Sequence, residues 1–443
     1  MRTATYKYIV LSVLAVSGMI TELHAQAIPE NSDEIDIPID LVTVLKLGGA
    51  NNLTIEEFNQ KKELALANVL KEKEWWLPDL YVGTTIHQLW GNAMAADGTI
   101  FTDVDRQYFS GGIGINASWD FGDGIYKVNG AEFRVKAAEY QTQAEKNKAL
   151  LTIIETYYDF LSAQLYYNAY QELLLNADTI IDQIQIQVEA DFRYQSELLL
   201  AKSNFNHLKV EMLNAQIECN NKSASLVKLL NMNPTVRLVA AENFLAPLEL
   251  VDIYSEQEWI DSTYKSRPEF RSSEFILRAL NTEKKTTTTG LLIPEVRVGA
   301  YGSYFGGVFS PMDPTSALNA SLIWEIPFGR LIYKGTLKQY NTRIALQKNY
   351  LEQIKATINE EVISAREKIR TIKMQMELSL EGSELAEEAL KQSLARQNLR
   401  MVRPFEIVQV QEVYIKSQLD YLNAVASYNK AQYAYFVATG NDL

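Results

Sequence analysis

The side chains that could perform chemistry are few in this chain and far apart. Two histidines follow residue 25, His87 and His207, and the single cysteine is Cys219. Neither histidine has a second ligand at the spacing of a zinc site, and one cysteine excludes an internal disulfide and a cysteine metal cluster. Nucleophile-elbow and phosphate-loop motifs are missing as well. The sequence therefore indicates no enzyme, no bound metal and no cofactor. The net charge of −13 also makes nucleic acid a poor partner.

One acidic stretch could attract a cation. Asp97, Asp103 and Asp105 fall between residues 91 and 107, in a segment rich in Gly, Asn, Asp and Thr. These residue types are typical of loops. A solvated external loop is therefore the simpler interpretation.

Two polar turns hold the remaining candidates. Residues 192–197 and 400–406 each interrupt a long helical pattern, so each turn lies at the far end of a helical hairpin. The charged and aromatic side chains at these turns are Arg193, Tyr194, Glu197, Arg400, Arg403 and Glu406. They mark a functional end of the molecule, or they are the exposed residues of ordinary turns, and for Arg400 the second interpretation is preferred.

Very long helices position these turns. Between residue 125 and Pro234 the chain contains one glycine and no proline. Apolar residues recur there near helical spacing. We predict long helices over 125–191, 196–231, 331–400 and 405–439. The first would be about 100 Å long at 1.5 Å per residue, which no globular core needs. A shorter helix is predicted to begin at a capping box formed by Thr54 and Glu57.

Four amphipathic strands interrupt the helical patterns. They are predicted at 78–90, 108–121, 294–305 and 317–328. In the second strand Phe109, Ile113 and Ile115 alternate with glycine, serine and asparagine, so one face is apolar and the other is small and polar. A single strand of this kind also fits the edge of an ordinary antiparallel sheet. Four of them, each near the ~9–11 residues that cross a bilayer, favour a transmembrane barrel.

The two faces of these strands give two sets of candidate residues. Those predicted to face a water-filled lumen are Ser110, Asn116, Ser118, Glu295, Arg297 and Glu325. Those predicted to lie at the membrane interface are Trp90, Trp119, Phe121, Trp324 and Phe328. The charged lumen residues could equally pair with one another and have no role in transport.

The chain divides into an export signal and two similar halves. Arg2 and Lys7 precede an apolar run and a small-residue site, which predicts a signal peptide over 1–25. Residues 26–52, acidic and then glycine-rich, are predicted to be a linker. The order strand, strand, long helix, turn, helix then occurs twice. We place the two repeats at 53–234 and 256–443, joined by an equatorial connection at 235–255.

Four strands cannot close a barrel, because single-chain barrels begin at about eight strands and open edges are costly in lipid. Two copies would give a barrel filled by side chains, whereas three copies would enclose a lumen. The glycine- and serine-rich faces favour a lumen. The expected fold class is an α+β membrane protein, internally duplicated, whose four strands per chain complete a 12-stranded trimeric β-barrel above a long periplasmic α-helical tunnel.

These features together resemble the TolC-type outer-membrane efflux proteins, over residues 53–443. The resemblance rests on the two repeats, their element order, a proline before the first and third strands (Pro78 and Pro294), and Arg267-Pro268-Glu269-Phe270, which is similar to the family's Arg-Pro-Glu-Leu. It implies a homotrimer in the cell outer membrane, the exit duct of a tripartite efflux pump or type I secretion system. A periplasmic adaptor (membrane fusion) protein and an inner-membrane transporter would open its periplasmic tip.

The resemblance also implies a gate at that tip. The family's acidic ring aligns with Glu406, but its second acidic position is Gln409 here, and its gate arginine aligns with Val402, beside Arg403. The implied gate set is Glu406, Arg403, Gln409, Glu197, Arg193 and Tyr194. Two other classes stay open: a structural periplasmic coiled-coil scaffold without a pore, and a hydrolase whose site escapes sequence analysis.

Overall fold

The computed structural model describes residues 35–95, 97–250, 260–307, 311–398 and 404–443. The predicted signal peptide, the start of the predicted linker, and the tip residues Arg400, Val402 and Arg403 lie outside these residues. The described part consists mainly of helices, with one four-stranded and one two-stranded sheet. Within it, no helix is both long enough and apolar enough to cross a membrane.

Two antiparallel pairs of long helices dominate the molecule. They are α3 Phe121–Glu189 with α4 Gln195–Leu229, and α8 Gly335–Asn398 with α9 Pro404–Ala438. The four predicted long helices are confirmed. Their observed and predicted bounds agree to within a few residues, and they differ most at the starts of α3 and α8. The shorter helices are α1 Leu41–Asn51, α2 Leu53–Lys73, α5 Ile260–Ser266, α6 Pro268–Glu283 and α7 Phe328–Tyr333. With 69 residues, α3 is about 100 Å long.

Several helix starts differ from the prediction. Asn52, not Thr54, caps α2, because its side-chain oxygen accepts hydrogen bonds from the N–H groups of Thr54 and Ile55 at 2.9 and 3.3 Å. The long helix α3 also begins a few residues before its predicted start at residue 125. Asp120 caps this helix by accepting from the Asp123 N–H at 2.9 Å, and the helix begins at Phe121.

The first long helix of the second pair is interrupted near its predicted start. The predicted helix from residue 331 is two helices, α7 and α8, separated by Lys334 in the left-handed conformation with φ of 50°. The carbonyl of Arg330 accepts from the Lys334 N–H at 3.0 Å and closes α7 there. A left-handed residue ends a helix, and α8 restarts at the following glycine.

The four predicted transmembrane strands form one antiparallel sheet. Its order is β2 Asp79–Met94, β3 Ile100–Asp120, β5 Glu295–Gly306 and β6 Asp313–Ile323. The hairpin of β2 and β3 is longer than predicted, because most of residues 91–107 continue the ladder through a bulge between Gly91 and Ala93. Strand β6 ends at Ile323 rather than residue 328. Pro327, which lacks an N–H group, instead precedes α7.

The linker predicted for 26–52 is wrong for its described part. Ile35–Ile39 form β1, which pairs in parallel with β4 Val236–Ala240, and α1 follows directly. Val44 is fully buried, and a Cβ on Gly48 would lie 2.6 Å from the Cδ1 of Ile153. The glycine therefore serves close packing on α3 and not flexibility. The β1–β4 pair occupies part of the predicted equatorial connection.

The principal apolar core lies where these segments meet the middle of the helices. Ile153, Ile154 and Phe160 of α3 are fully buried there, with Leu226 of α4 and Val425 of α9. Smaller clusters continue along the helix pairs toward the tip. The sheet lies at the other end of α3, since β3 leads directly into that helix.

Candidate functional site

One face of the four-stranded sheet is apolar and exposed. Register pairing places Leu80 and Ile115 beside Ala300 and Leu318 on this face. Leu80, Val82, Ile86, Ile113, Leu318 and Leu322 are all more than half exposed. A soluble chain rarely presents so large a continuous apolar surface to water. The alternation predicted from the sequence is therefore present in the sheet.

The opposite face carries the predicted lumen residues. Ser118 pairs with Arg297 and lies next to Glu295, and the hydroxyl of Ser118 donates a hydrogen bond to the Glu295 carboxylate. Arg297 binds the same carboxylate through two contacts of 2.9 and 2.7 Å. The alternative raised by the sequence, that these charges pair with one another, is the arrangement found for this pair. Their charges cancel locally.

Of the other predicted lumen residues, Asn116 and Ser110 lie on the same face and Glu325 does not. Asn116 is level with Gly299 and Asn319, and Ser110 is level with Phe305. Glu325 lies beyond the end of β6, where it lines a polar cavity of about 280 Å³ together with Asp120, Lys127 and Arg330. This cavity marks the junction of the sheet with the helices.

The aromatic residues predicted for the membrane interface separate into three groups. Trp119 donates its indole N–H to the backbone oxygen of Trp76 at 2.6 Å, and Phe121 packs edge-on against Trp75 with ring centroids 5.3 Å apart. Trp324 and Phe328 form the second group and lie exposed beyond the end of β6. Trp90, the third, is exposed on the part of the β2–β3 hairpin that extends past β5 and β6.

The helix ends that flank the two predicted tip turns lie side by side. Ile407, one per cent exposed at the start of α9, packs in one cluster with Ile184 near the end of α3 and Leu198 at the start of α4. The first and second helix pairs therefore end together. Tyr194 is 79% exposed at this end, and Gln409 is exposed as well.

Ion pairs hold both turns. In the first, the nearly buried Arg193 contacts Glu197 at 3.3 Å and donates to the side-chain oxygen of Gln187. In the second, Nη1 of Arg396 lies 3.1 Å from Oε1 of Glu406. Arg396 is not among the residues predicted from the sequence. Ten positions separate it from Glu406, and no local pattern links a residue in the last turn of one helix with the first turn of the next.

A cavity of about 430 Å³ lies close to this turn, between α3, α8 and α9. Gln397 lines it at one per cent exposure, and both polar atoms of its side-chain amide lack a hydrogen-bond partner in the part of the chain that the structure describes. Among the described residues, no group of three or more His, Cys, Asp and Glu side chains is arranged to hold a metal ion.

Comparison with known proteins gives a family-model match over part of the chain and a fold. Residues 45–232 match the family model described as outer membrane efflux protein. No significant match occurs among curated proteins.

Solved structures align over nearly the whole chain. The CmeC outer membrane channel of Campylobacter jejuni is 15% identical, with a TM-score of 0.75 over 94% of this chain and 90% of that one. VceC of Vibrio cholerae, an outer membrane protein, is 13% identical, with a TM-score of 0.72 over 91% and 96%. The open state of the Neisseria gonorrhoeae MtrE outer membrane channel is 14% identical, with a TM-score of 0.72 over 90% and 89%. The resemblance stated from the sequence is confirmed.

Proposed function

We propose that this chain, which matches the outer membrane efflux protein family over residues 45–232 and has the fold of its channels, is a passive exit duct in the outer membrane. Three copies would form a 12-stranded barrel, continued by a helical tunnel into the periplasm. The duct would serve a tripartite efflux pump or a type I secretion system. It would be gated at the tip by contact with a periplasmic adaptor and an inner-membrane transporter.

The observation that carries the proposal is the pair of open edges on an apolar sheet. Strands β2 and β6 have no partner on their outer edges among the described residues, and the apolar face between them is exposed. Unpaired backbone groups in lipid cost several kcal/mol each, so a membrane sheet must close. Strand β6 runs antiparallel to β2, so β6 of one copy can pair with β2 of the next without a change in strand polarity.

Three copies satisfy this geometry and leave room for transport. Two would give an eight-stranded barrel, whose interior is filled by side chains. The polar face instead carries Gly83, Gly112, Gly114 and Gly299, which leave stretches of bare backbone between its larger side chains. A 12-stranded wall with such a lining supports an open lumen.

The helices support the tunnel and its gate. The 69-residue α3 could extend about 100 Å from the sheet, which would place both tip turns far from the membrane. Glu197, Arg193 and Tyr194 of the first turn, with Glu406 and Gln409 of the second, would surround the narrow end. A scaffold without a pore would leave the exposed apolar sheet face unexplained, so the duct is the preferred function.

The test is the assembly and its conductance. Purified from outer membranes in mild detergent, the protein should have the mass of three mature chains, and it should migrate as an SDS-resistant species until heated. In planar bilayers it should give discrete, ohmic steps of current. A monomer in the soluble periplasmic fraction, or a membrane species without conductance, would exclude the duct.

A further inference from the structure

Aromatic residues on the polar face of the sheet form two separate tiers. In the lower tier, Tyr81 of β2 and Tyr301 of β5 stack across β3, with ring centroids 6.2 Å apart and planes 12° apart. Gly114 lies between them in the register, and a Cβ at that position would overlap the Tyr81 ring. The glycine therefore permits this stack.

The upper tier lies nearer the hairpin end. The ring of Tyr108 lies 5.0 Å from the ring of His87 and 5.8 Å from that of Phe305. Tyr81, His87, Tyr108 and Phe305 are all exposed, so their rings are available on this face.

A bare floor separates the tiers. One register row between them consists of Gly83, Gly112, Ser303 and Thr315. Tyr301 and Phe305 are four residues apart on one strand, so the tiers are about 13 Å apart. Ser303 is six per cent exposed and its hydroxyl has no hydrogen-bond partner within the described ranges. The floor thus offers mainly flat backbone, since the Ser303 hydroxyl is itself buried.

The charged side chains nearest to this floor are carboxylates, and the cations on the same face, Arg106 and Arg297, lie farther along their strands. Asp79 precedes the lower tier and Asp313 is level with Phe305, and both are exposed on the same face. Neither forms an ion pair with another described residue. The nearby cation Arg297 is already neutralised by Glu295 at 2.7 Å. A positively charged molecule would therefore meet uncompensated carboxylates at both borders of the slot.

We propose that this slot, formed by the two aromatic tiers and the floor between them, binds flat polycyclic aromatic cations inside the barrel. The inference rests on the proposed duct, in which the polar face lines the lumen and three slots surround it. A fused ring system of two or three rings covers the floor and contacts an aromatic ring at each end. Aromatic stacking and cation–π attraction supply the affinity, and the two aspartates select the charge.

The test is current block in planar bilayers that contain the purified pore. The probe is 9-aminoacridine, a flat three-ring cation. Tetraethylammonium, a cation without rings, and the neutral sugar maltotriose are the comparison solutes. We expect 9-aminoacridine to produce resolvable transient blocks at concentrations at which the other two solutes produce none.

Two variants locate the block in the slot. Tyr81→Ala removes the lower stack and should weaken the block by about tenfold. Gly83→Val fills the floor, and because a Cβ at residue 83 meets no atom within 4 Å, it should do so without disturbing the sheet. The matched control is Tyr304→Ala, a 60% exposed tyrosine on the apolar face of β5, which should leave the block unchanged.

The outcomes separate this inference from the proposed duct. A protein that gives no ohmic steps overturns the duct and the slot together. A conducting pore that 9-aminoacridine blocks no better than tetraethylammonium overturns the slot alone. Equal block of the wild type, Tyr81→Ala and Gly83→Val by 9-aminoacridine also overturns the slot alone. Block by maltotriose instead of 9-aminoacridine overturns the proposed ligand class, because the slot would then bind sugars.

Discussion

Glu406 and Arg396 form an ion pair of 3.1 Å across the second tip turn. The sequence selected Glu406 as the member of an acidic ring, but the structure gives its carboxylate a cationic partner within the same chain. Both side chains are about half exposed, so the pair is weak and open to competition by solvent and ions. The strength of an acidic ring at this tip would therefore depend on Arg396.

The first prediction concerns these two residues in the proposed trimer. Glu406→Gln should lower cation selectivity and weaken block by trivalent cations, because three carboxylates would otherwise share one counter-ion. Arg396→Gln should have the opposite effect, since it frees the carboxylate. Both are measured as reversal potential and block in planar bilayers.

Glu197→Gln is the control for the gate. Its carboxylate belongs to the first turn, where Arg193 holds it. If Glu197→Gln abolishes selectivity and block while Glu406→Gln changes neither, the constriction belongs to the first repeat.

The second prediction concerns the amide of Gln397, which has no hydrogen-bond partner among the described residues. A buried polar group without a partner costs about 1–3 kcal/mol, so Gln397→Leu should stabilise the tip by an amount of this order. Hydrogen exchange of residues 390–398 should become slower. Gln392→Leu, an exposed glutamine on the same helix, is the control and should leave exchange unchanged. Faster exchange in Gln397→Leu would mean that the amide has an unseen role in closing the tip.

The third prediction concerns Arg267, which is the most fully paired cation among the described residues. Its guanidinium binds Glu269 and, at 2.8 Å, Glu361, and it donates to the carbonyl oxygens of Val437 and Ala438 at 3.3 and 3.1 Å. The side chain is 8% exposed. Arg267 thus closes the C-terminal end of α9 and ties it to α6 and α8.

Removing this group should destabilise the fold. For Arg267→Met we expect the free energy of unfolding to fall by an amount toward the lower end of about 3–5 kcal/mol, because the carboxylates left without a partner are partly solvated. Arg267→Lys should restore little of this stability, since an ammonium group cannot bind all the acceptors that the planar guanidinium reaches. Thermal unfolding followed by circular dichroism measures both, and a full rescue by lysine would contradict the account.

The fourth prediction compares two glycines. A Cβ on Gly122 would overlap the carbonyl oxygen of Gly290, so Gly122→Ala should destabilise the junction of sheet and helices by about 1–3 kcal/mol. Gly49→Ala meets no atom within 4 Å on α1 and should be neutral or stabilising, because alanine is the better helix former. The difference in thermal midpoint between the two variants measures the contact, and equal midpoints would contradict it.

The fifth prediction concerns topology. Both hairpins of the sheet connect to helices at their other ends, so their tips should face the outside of the cell. In a Cys219→Ser background, Ala95→Cys and Asp313→Cys should react with an impermeant maleimide on intact cells. Tyr194→Cys, at the tip of the helices, should react only after the envelope is broken.

The native cysteine provides an internal check on this experiment. Cys219 is 8% exposed, and burial raises the pKa of its thiol, so little thiolate is present at neutral pH. The wild-type protein should therefore resist labelling until it is denatured. Labelling of Ala95→Cys only in broken cells would invert the topology.

The sequence by itself determined the strands and long helices of this protein, because both depend on local patterns. Alternation at residues 108–121 identified a two-faced strand, and the scarcity of glycine and proline between residues 125 and 234 identified the helices of the first pair. The tip turns followed from where those patterns stop. The resemblance to outer-membrane efflux proteins followed from the order and lengths of these elements.

Only the tertiary structure decided features that depend on residues far apart in the chain. Gly48 indicates a flexible linker when its neighbours are unknown, but it packs on Ile153, more than one hundred positions away. Three other features also depend on such contacts: the end of β6, the pairing of Glu406 with Arg396, and the stacking of Tyr81 on Tyr301. Each is fixed by a contact between side chains or strands that the local sequence does not encode, since the free energy of such a contact arises only when folding brings both partners together.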